Sequence, residues 1–116
     1  MKREDSLKRK KEFRYTYRTG RAVQHKYFSC IVAKRKTGSS RIGISVSKKQ
    51  GNSVTRNRIK RRLREAVTPF IPHLKQGYNI IFVARSGIPE AEFSKLTDAV
   101  REALCQAKLL NQEDAR

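Results

Sequence analysis

The hydrophobic positions fall into blocks whose spacing changes along the chain. From Leu7 to Thr19 they keep helical intervals, with Phe13 and Tyr17 four apart on one face and Gly20 placed to cap the end. Residues Lys26 to Ala33 form a β-rich run. Arg41 to Ser47 alternates with a period of two: Ile42, Ile44 and Val46 on one face, Gly43, Ser45 and Ser47 on the other. Between these runs, Lys34 to Ser40 is a turn-forming cluster, so the pattern predicts that the two strands pair as an antiparallel hairpin. A short extra strand near Arg21–Val23 is compatible with the same pattern.

Beyond Ser47 comes a loop, Lys48-Lys49-Gln50-Gly51-Asn52-Ser53, that ends in residues suited to cap a helix. The spacing predicts that helix from Ser53 to about Phe70, closed by Pro69 and Pro72. Tyr78 to Ala84 is continuously apolar and reads as a buried strand. Ser86-Gly87-Ile88-Pro89 interrupts it, and a last helix is expected from Glu90 to Leu110, with Phe93, Leu96, Val100, Ala103 and Ala107 on its inner face. The predicted order is α-β-β-(β)-α-β-α in an α+β sandwich. The expected organisation is a single domain, with residues 1–6 a basic flexible tail, 7–110 the folded core and 111–116 a frayed C-terminus.

Charge changes this picture from a fold to a candidate binder. Residues 1–64 hold 22 basic and 3 acidic side chains, and residues 65–116 hold 6 and 7, so the first part carries all of the net +18. Self-repulsion on that scale costs stability, which points to a polyanionic partner. Hydrophobic residues make up 37% of the chain, low for a globular domain, yet their periodic blocks suffice for a small core. No apolar run approaches the ~20 residues of a membrane span. The charged start leads into no apolar signal region, so a cytoplasmic protein is expected, with Cys30 and Cys105 reduced.

The excess is concentrated between Arg41 and Arg64, which contain nine basic residues and no acidic one. On a helical projection Ile59, Leu63, Ala66 and Val67 fall on one side, with Asn57, Arg61 and Arg64 opposite. Arg58 and Lys60 lie on the flanks, and Arg56 is in the first turn, where the helix terminus already favours anions. A merely solvated face would mix signs into i,i+4 pairs. Here no carboxylate comes before Glu65, and arginine, whose planar fork suits phosphate, outnumbers lysine. This face is read as a polyanion-binding surface.

The sheet supplies a second candidate. If Ile42, Ile44 and Val46 face the helices, Gly43, Ser45 and Ser47 make a small, polar outer face. The preceding strand adds Tyr27, Ser29 and Ile31 to that face and turns Phe28, Cys30 and Val32 inward. An extended backbone could lie close to such a surface. Phe13 and Tyr17 either roof it and stack on unpaired bases or are plain core aromatics, and their spacing does not choose between the two. Catalytic constellations are missing. His25 and His73 lack partners at metal-ligand spacing, and there is no phosphate-binding glycine loop, nucleophile elbow or carboxylate pair. A nuclease with its own two-metal site would need acidic ligands facing its substrate.

The stretch Ser47-Lys48-Lys49…Gly51-Asn52…Val54…Arg56-Asn57-Arg58-Ile59-Lys60-Arg61 closely resembles the bacterial ribonuclease P protein subunit. Phe13…Tyr17…Gly20 and the strand ending Ala84-Arg85 support the match, which spans about residues 7–110. The resemblance implies a ribosomal-protein-S5-domain-2-like fold with a left-handed β-α-β crossover, against the usual right-handed rule. It implies an endoribonuclease of protein and RNA that removes the 5′ leader from precursor tRNA, with the catalytic Mg²⁺ ions held by the RNA and no cofactor or metal bound by the protein. Carried over position by position, Arg56, Asn57, Arg58, Lys60, Arg61 and Arg64 would dock on the catalytic RNA. Phe13, Tyr17, Ser29, Ile31, Ser45, Ser47, Lys48, Lys49 and Arg85 would line the cleft for the leader. Tyr17 stands where Phe is frequent, Ile31 where some members have an aromatic residue, and Ser53 where Ala is commoner, a change that favours capping.

The implied partners are ribonuclease P RNA and precursor tRNA, with neither DNA nor a membrane among them; whether the holoenzyme is dimeric is left open. The alternative is a ribosomal or general RNA-chaperone protein, equally basic but without a processing role. A DNA-binding regulator lacks the helix that should precede the basic one in a helix-turn-helix.

Overall fold

The computed structural model describes residues 1–36 and 38–110. Its elements are α1 (Lys10–Thr19), β1 (Arg21–Gln24), β2 (Phe28–Lys34), β3 (Arg41–Ser45), α2 (Ser53–Val67), β4 (Tyr78–Ala84) and α3 (Phe93–Gln106). The extra strand is therefore present. One four-stranded mixed sheet runs in the order β1-β2-β4-β3. Helices α2 and α3 pack on one face with Phe28, Cys30, Val32, Ile42, Ile80 and Phe82 in a common core, while α1 crosses the other. The architecture is α+β, as the sequence predicts.

Strand pairing departs from the hairpin expectation. β2 and β3 are not neighbours: β4 lies between them, antiparallel to β2 and parallel to β3. Two causes are visible. β4 has apolar residues on both faces and is buried on both, Ile80 and Phe82 toward α2 and α3 and Ile81 toward α1, which suits only a central place. The turn before β3 is also pinned to the segment before β4. The Ser40 hydroxyl donates to the Lys75 carbonyl and accepts from the Tyr78 N–H at 3.1 Å, and the Ser40 N–H donates to Gln76 Oε1 at 3.1 Å. The connection from β3 through α2 to β4 is thus a crossover between parallel neighbours. The antiparallel hairpin of this sheet is β1–β2.

Element ends differ in instructive ways. Leu7 does not begin α1; it is buried, and its N–H donates to the Ile42 carbonyl at 2.8 Å, covering the outer edge of β3. Residues 1–6, expected as a tail, include a 3-10 turn at Arg3–Asp5 and a bridge from Ser6 to Ile42. Helix α2 stops at Val67 and continues as a 3-10 turn over Thr68–His73. Its cap is Asn52, whose side chain accepts from the Thr55 N–H at 2.9 Å, so Ser53 is the first helical residue and not the cap. α3 is shorter than expected and leaves Phe93 43% exposed, because the turns over Ile88–Ala91 bring Ile88 into the core in its place. Residues 111–116 lie outside the described residues.

Candidate nucleic-acid interface

The α2 face is built as the periodicity requires. Ile59, Leu63, Ala66 and Val67 are fully buried, and Asn57, Arg58, Arg61 and Arg64 stand exposed on the far side, with Arg56 and Lys60 half-buried at its margins. Five of these, Asn57, Arg58, Lys60, Arg61 and Arg64, line an open trough together with Val54, which is 76% exposed. Among the described residues no carboxylate lies within ion-pair distance of any of these cations. The buried Arg56 Nε also finds no hydrogen-bond partner there. Arg62 differs: its guanidinium donates to the Ala91 carbonyl and fastens α2 to the segment before α3. It is a structural arginine within a helix whose outer face is cationic.

The opposite sheet face carries the second set. α1 is anchored there by Asn79, buried in the sheet, whose Nδ2 donates to Thr16 Oγ1 at 3.0 Å. The ring of Phe13 rests on Gly43, where a Cβ would come within 2.6 Å of Phe13 Cζ. Gly20 serves a similar purpose at the other end. Its backbone is extended, not left-handed, but a Cβ would lie 2.5 Å from the Thr16 carbonyl and 2.9 Å from Ile31 Cγ2. Tyr17 is 44% exposed, with its ring centroid 6.4 Å from that of Phe13. Both rings therefore flank the sheet face, Phe13 half-covered and Tyr17 open.

Register sorts the remaining positions into rows. Ile31, Ile81 and Gly43 form one row across the sheet under α1, and Ser29, Val83 and Ser45 form the next, only partly covered. Ser29, Ser45 and Tyr17 thus border open space, whereas Ile31 sits a row further in, against Gly20. Gln24, opposite Ser29 in β1, extends the open row, and its Oε1 accepts from the Ser29 hydroxyl at 2.6 Å. Sequence reasoning missed Gln24 and Val83, because membership of a row follows from register. Tyr27 does not join this face; it packs against the core margin and stacks on His25.

The parallel β3–β4 pairing brings Ser47, Lys48 and Lys49 to the same end of the sheet as Arg85. Lys48 and Lys49 are exposed on a 3-10 turn that leads directly into the capped end of α2, linking this end of the sheet to the helix face. Arg85 is partly committed, its Nη1 donating to the His25 carbonyl at 3.3 Å. The chemistry available is anion binding and stacking. Among the described residues no three His, Cys, Asp or Glu side chains converge as a metal site. Burial pushes the Cys30 thiol up to about 12, which keeps it protonated and unreactive.

Comparison with known proteins gives one consistent family. The model of the family described as Ribonuclease P matches residues 1–108. The ribonuclease P protein component of Clostridium botulinum (strain Loch Maree / Type A3) is 34% identical over 110 residues, covering 94% of this chain and 99% of that one. Its counterpart in Clostridioides difficile (strain 630) is 38% identical over 100 residues, covering 85% and 88%. The solved structure of the Staphylococcus aureus RNase P protein superposes with a TM-score of 0.81 at 31% identity, over 92% of this chain and 98% of that one.

Proposed function

The chain belongs to the ribonuclease P protein family, and on that premise we propose that it binds ribonuclease P RNA and the 5′ leader of precursor tRNA and assists endonucleolytic removal of the leader. The observation that carries this reading is the α2 face, six polar and cationic positions that, among the described residues, have no carboxylate within ion-pair distance. Phosphates supply the counter-charge that the protein withholds.

Arg56, Asn57, Arg58, Lys60, Arg61 and Arg64 dock on the catalytic RNA. The leader lies extended over Ser29 and Ser45, with bases against Phe13 and Tyr17 and phosphates toward Ser47, Lys48, Lys49 and Arg85; Ile31 contributes only the inner wall. Bond cleavage and its Mg²⁺ ions belong to the RNA, which fits a protein surface rich in phosphate ligands and poor in carboxylates. The protein's contribution is binding energy that mature tRNA, lacking a leader, does not receive, together with screening of phosphate repulsion between substrate and catalytic RNA. The test is cleavage of a 5′-extended tRNA by a bacterial ribonuclease P RNA at low Mg²⁺. Added protein is expected to restore cleavage at the mature 5′ end. No stimulation, or cleavage by the protein without RNA, contradicts the reading.

A further inference from the structure

The function proposed above uses the flank of α1 that carries Phe13 and Tyr17. On its other flank a groove of about 640 Å³ opens between α1 and the far ends of β2 and β4. Its framework is fixed by polar contacts. The Tyr15 hydroxyl donates to the Lys34 carbonyl at 3.1 Å, and Arg35 Nη1 donates to Asn79 Oδ1 at 2.6 Å. The one carboxylate in the lining, Glu12, is already 3.7 Å from Arg35. Around this base stand Lys11, Arg14, Arg18 and Lys36, all exposed. Among the described residues none of the four has a carboxylate within ion-pair distance.

Four uncompensated cations on one groove repel one another until an anion arrives. Their spacing says what kind. Lys11, Arg14 and Arg18 recur at three- and four-residue intervals on one side of α1, and Arg14 and Arg18 are a turn apart, about 6 Å along the axis. That separation matches successive phosphates of a strand, whereas a lone phosphate would engage only part of the set. Arginine forks favour bidentate phosphate contacts.

We propose that this groove is a second RNA-binding site, taking the phosphodiester backbone of a strand separately from the α2 face and the Phe13–Tyr17 cleft. The inference rests on the reading of the chain as a ribonuclease P subunit. Two sources present the same chemistry: leader nucleotides further upstream, which would pass over α1, and ribonuclease P RNA itself.

The test compares wild-type protein with the Arg14→Gln/Arg18→Gln/Lys36→Gln variant, after thermal unfolding has verified that the exposed substitutions leave the fold intact. Affinity is measured against salt in three arms: assembly on ribonuclease P RNA alone, and holoenzyme binding to precursor tRNA with a short or a long leader. Each lost phosphate contact flattens the plot of log K against log salt by about 0.7 on a single strand, so three should flatten it by about 2 and weaken binding roughly tenfold at physiological salt. A loss confined to the long leader assigns the groove to the leader. A loss in assembly assigns it to the catalytic RNA. Unchanged affinity and slope in all three arms overturns the proposal. Wild-type protein that failed to bind RNA in any arm would overturn instead the reading on which it rests.

Discussion

The ring of Phe13 is held in place by an absence, the missing side chain at Gly43. Because a Cβ there would meet Phe13 Cζ at 2.6 Å and Cε1 at 2.8 Å, Gly43→Ala must displace the ring or the strand. The expected stability loss is about 1–3 kcal/mol, typical of overpacking. Adding Phe13→Ala should recover much of it, since the clash is then gone; denaturant unfolding of the four variants in a double-mutant cycle measures that coupling. Strictly additive losses would mean that the contact does not set the ring. Cys30 makes a different prediction. Burial pushes its folded thiol up from the ordinary 9.0 to about 12. Between those values the unfolded chain has released the proton and the native one keeps it, so stability is full below pH 9.0 and falls as pH rises toward 12. In the native protein at neutral pH, alkylation should label Cys105, which is partly accessible, and spare Cys30.

Helix α2 separates two kinds of arginine. Arg58 and Arg61 face the open trough, whereas Arg62 is tied to the Ala91 carbonyl. Arg58→Ala with Arg61→Ala should leave unfolding nearly unchanged, weaken assembly with ribonuclease P RNA, and flatten its salt dependence by about 1–2 in slope. Arg62→Ala should do the reverse: about 1–3 kcal/mol less stability, from a lost charge-assisted hydrogen bond, with the salt slope unchanged. Parallel measurements of unfolding and assembly distinguish the two, and equal effects of both variants would contradict the assignment. This division is half legible in the sequence. The helical projection places Ile59 and Leu63 inward and leaves Arg62 out of the binding set, but Arg62's actual partner lies 29 residues away in an irregular segment. Strand order shows the same limit. The double-faced apolar character of β4 is plain in Tyr78–Ala84, yet its place between β2 and β3 depends on Ser40 bonding to Lys75 and Tyr78, contacts that no periodicity reports. Gln24 and Val83 escaped for a related reason: they enter the open row through register with Ser29 and Ser45.

Over the whole molecule, the net charge of +18 resolves into surfaces with separate geometry: the α2 face, the end of the sheet that carries Lys48, Lys49 and Arg85, and the groove along the far flank of α1. Among the described residues, Glu12 lies in that groove beside Arg35, and Asp98 and Glu102 are paired to Arg101 and His25 around α3. The cationic surfaces store repulsion that bound anions release, so ligand linkage should be large. Replacing a few millimolar of chloride by sulfate at constant ionic strength should raise the melting temperature, because at that concentration site binding differs while screening is matched and general salting-out is negligible. Equal melting temperatures would indicate diffuse repulsion without defined anion sites. On the proposed function, the surface beside Phe13 and Tyr17 senses the leader. Its most direct test is the ratio of precursor to mature tRNA affinity in the reconstituted holoenzyme, for wild type and for Phe13→Ala/Tyr17→Ala. The double substitution is expected to cost precursor binding about 1–3 kcal/mol per lost stacking contact and to leave mature tRNA binding unchanged, so that the ratio collapses toward one. Equal weakening of both RNAs, with the ratio preserved, would contradict it.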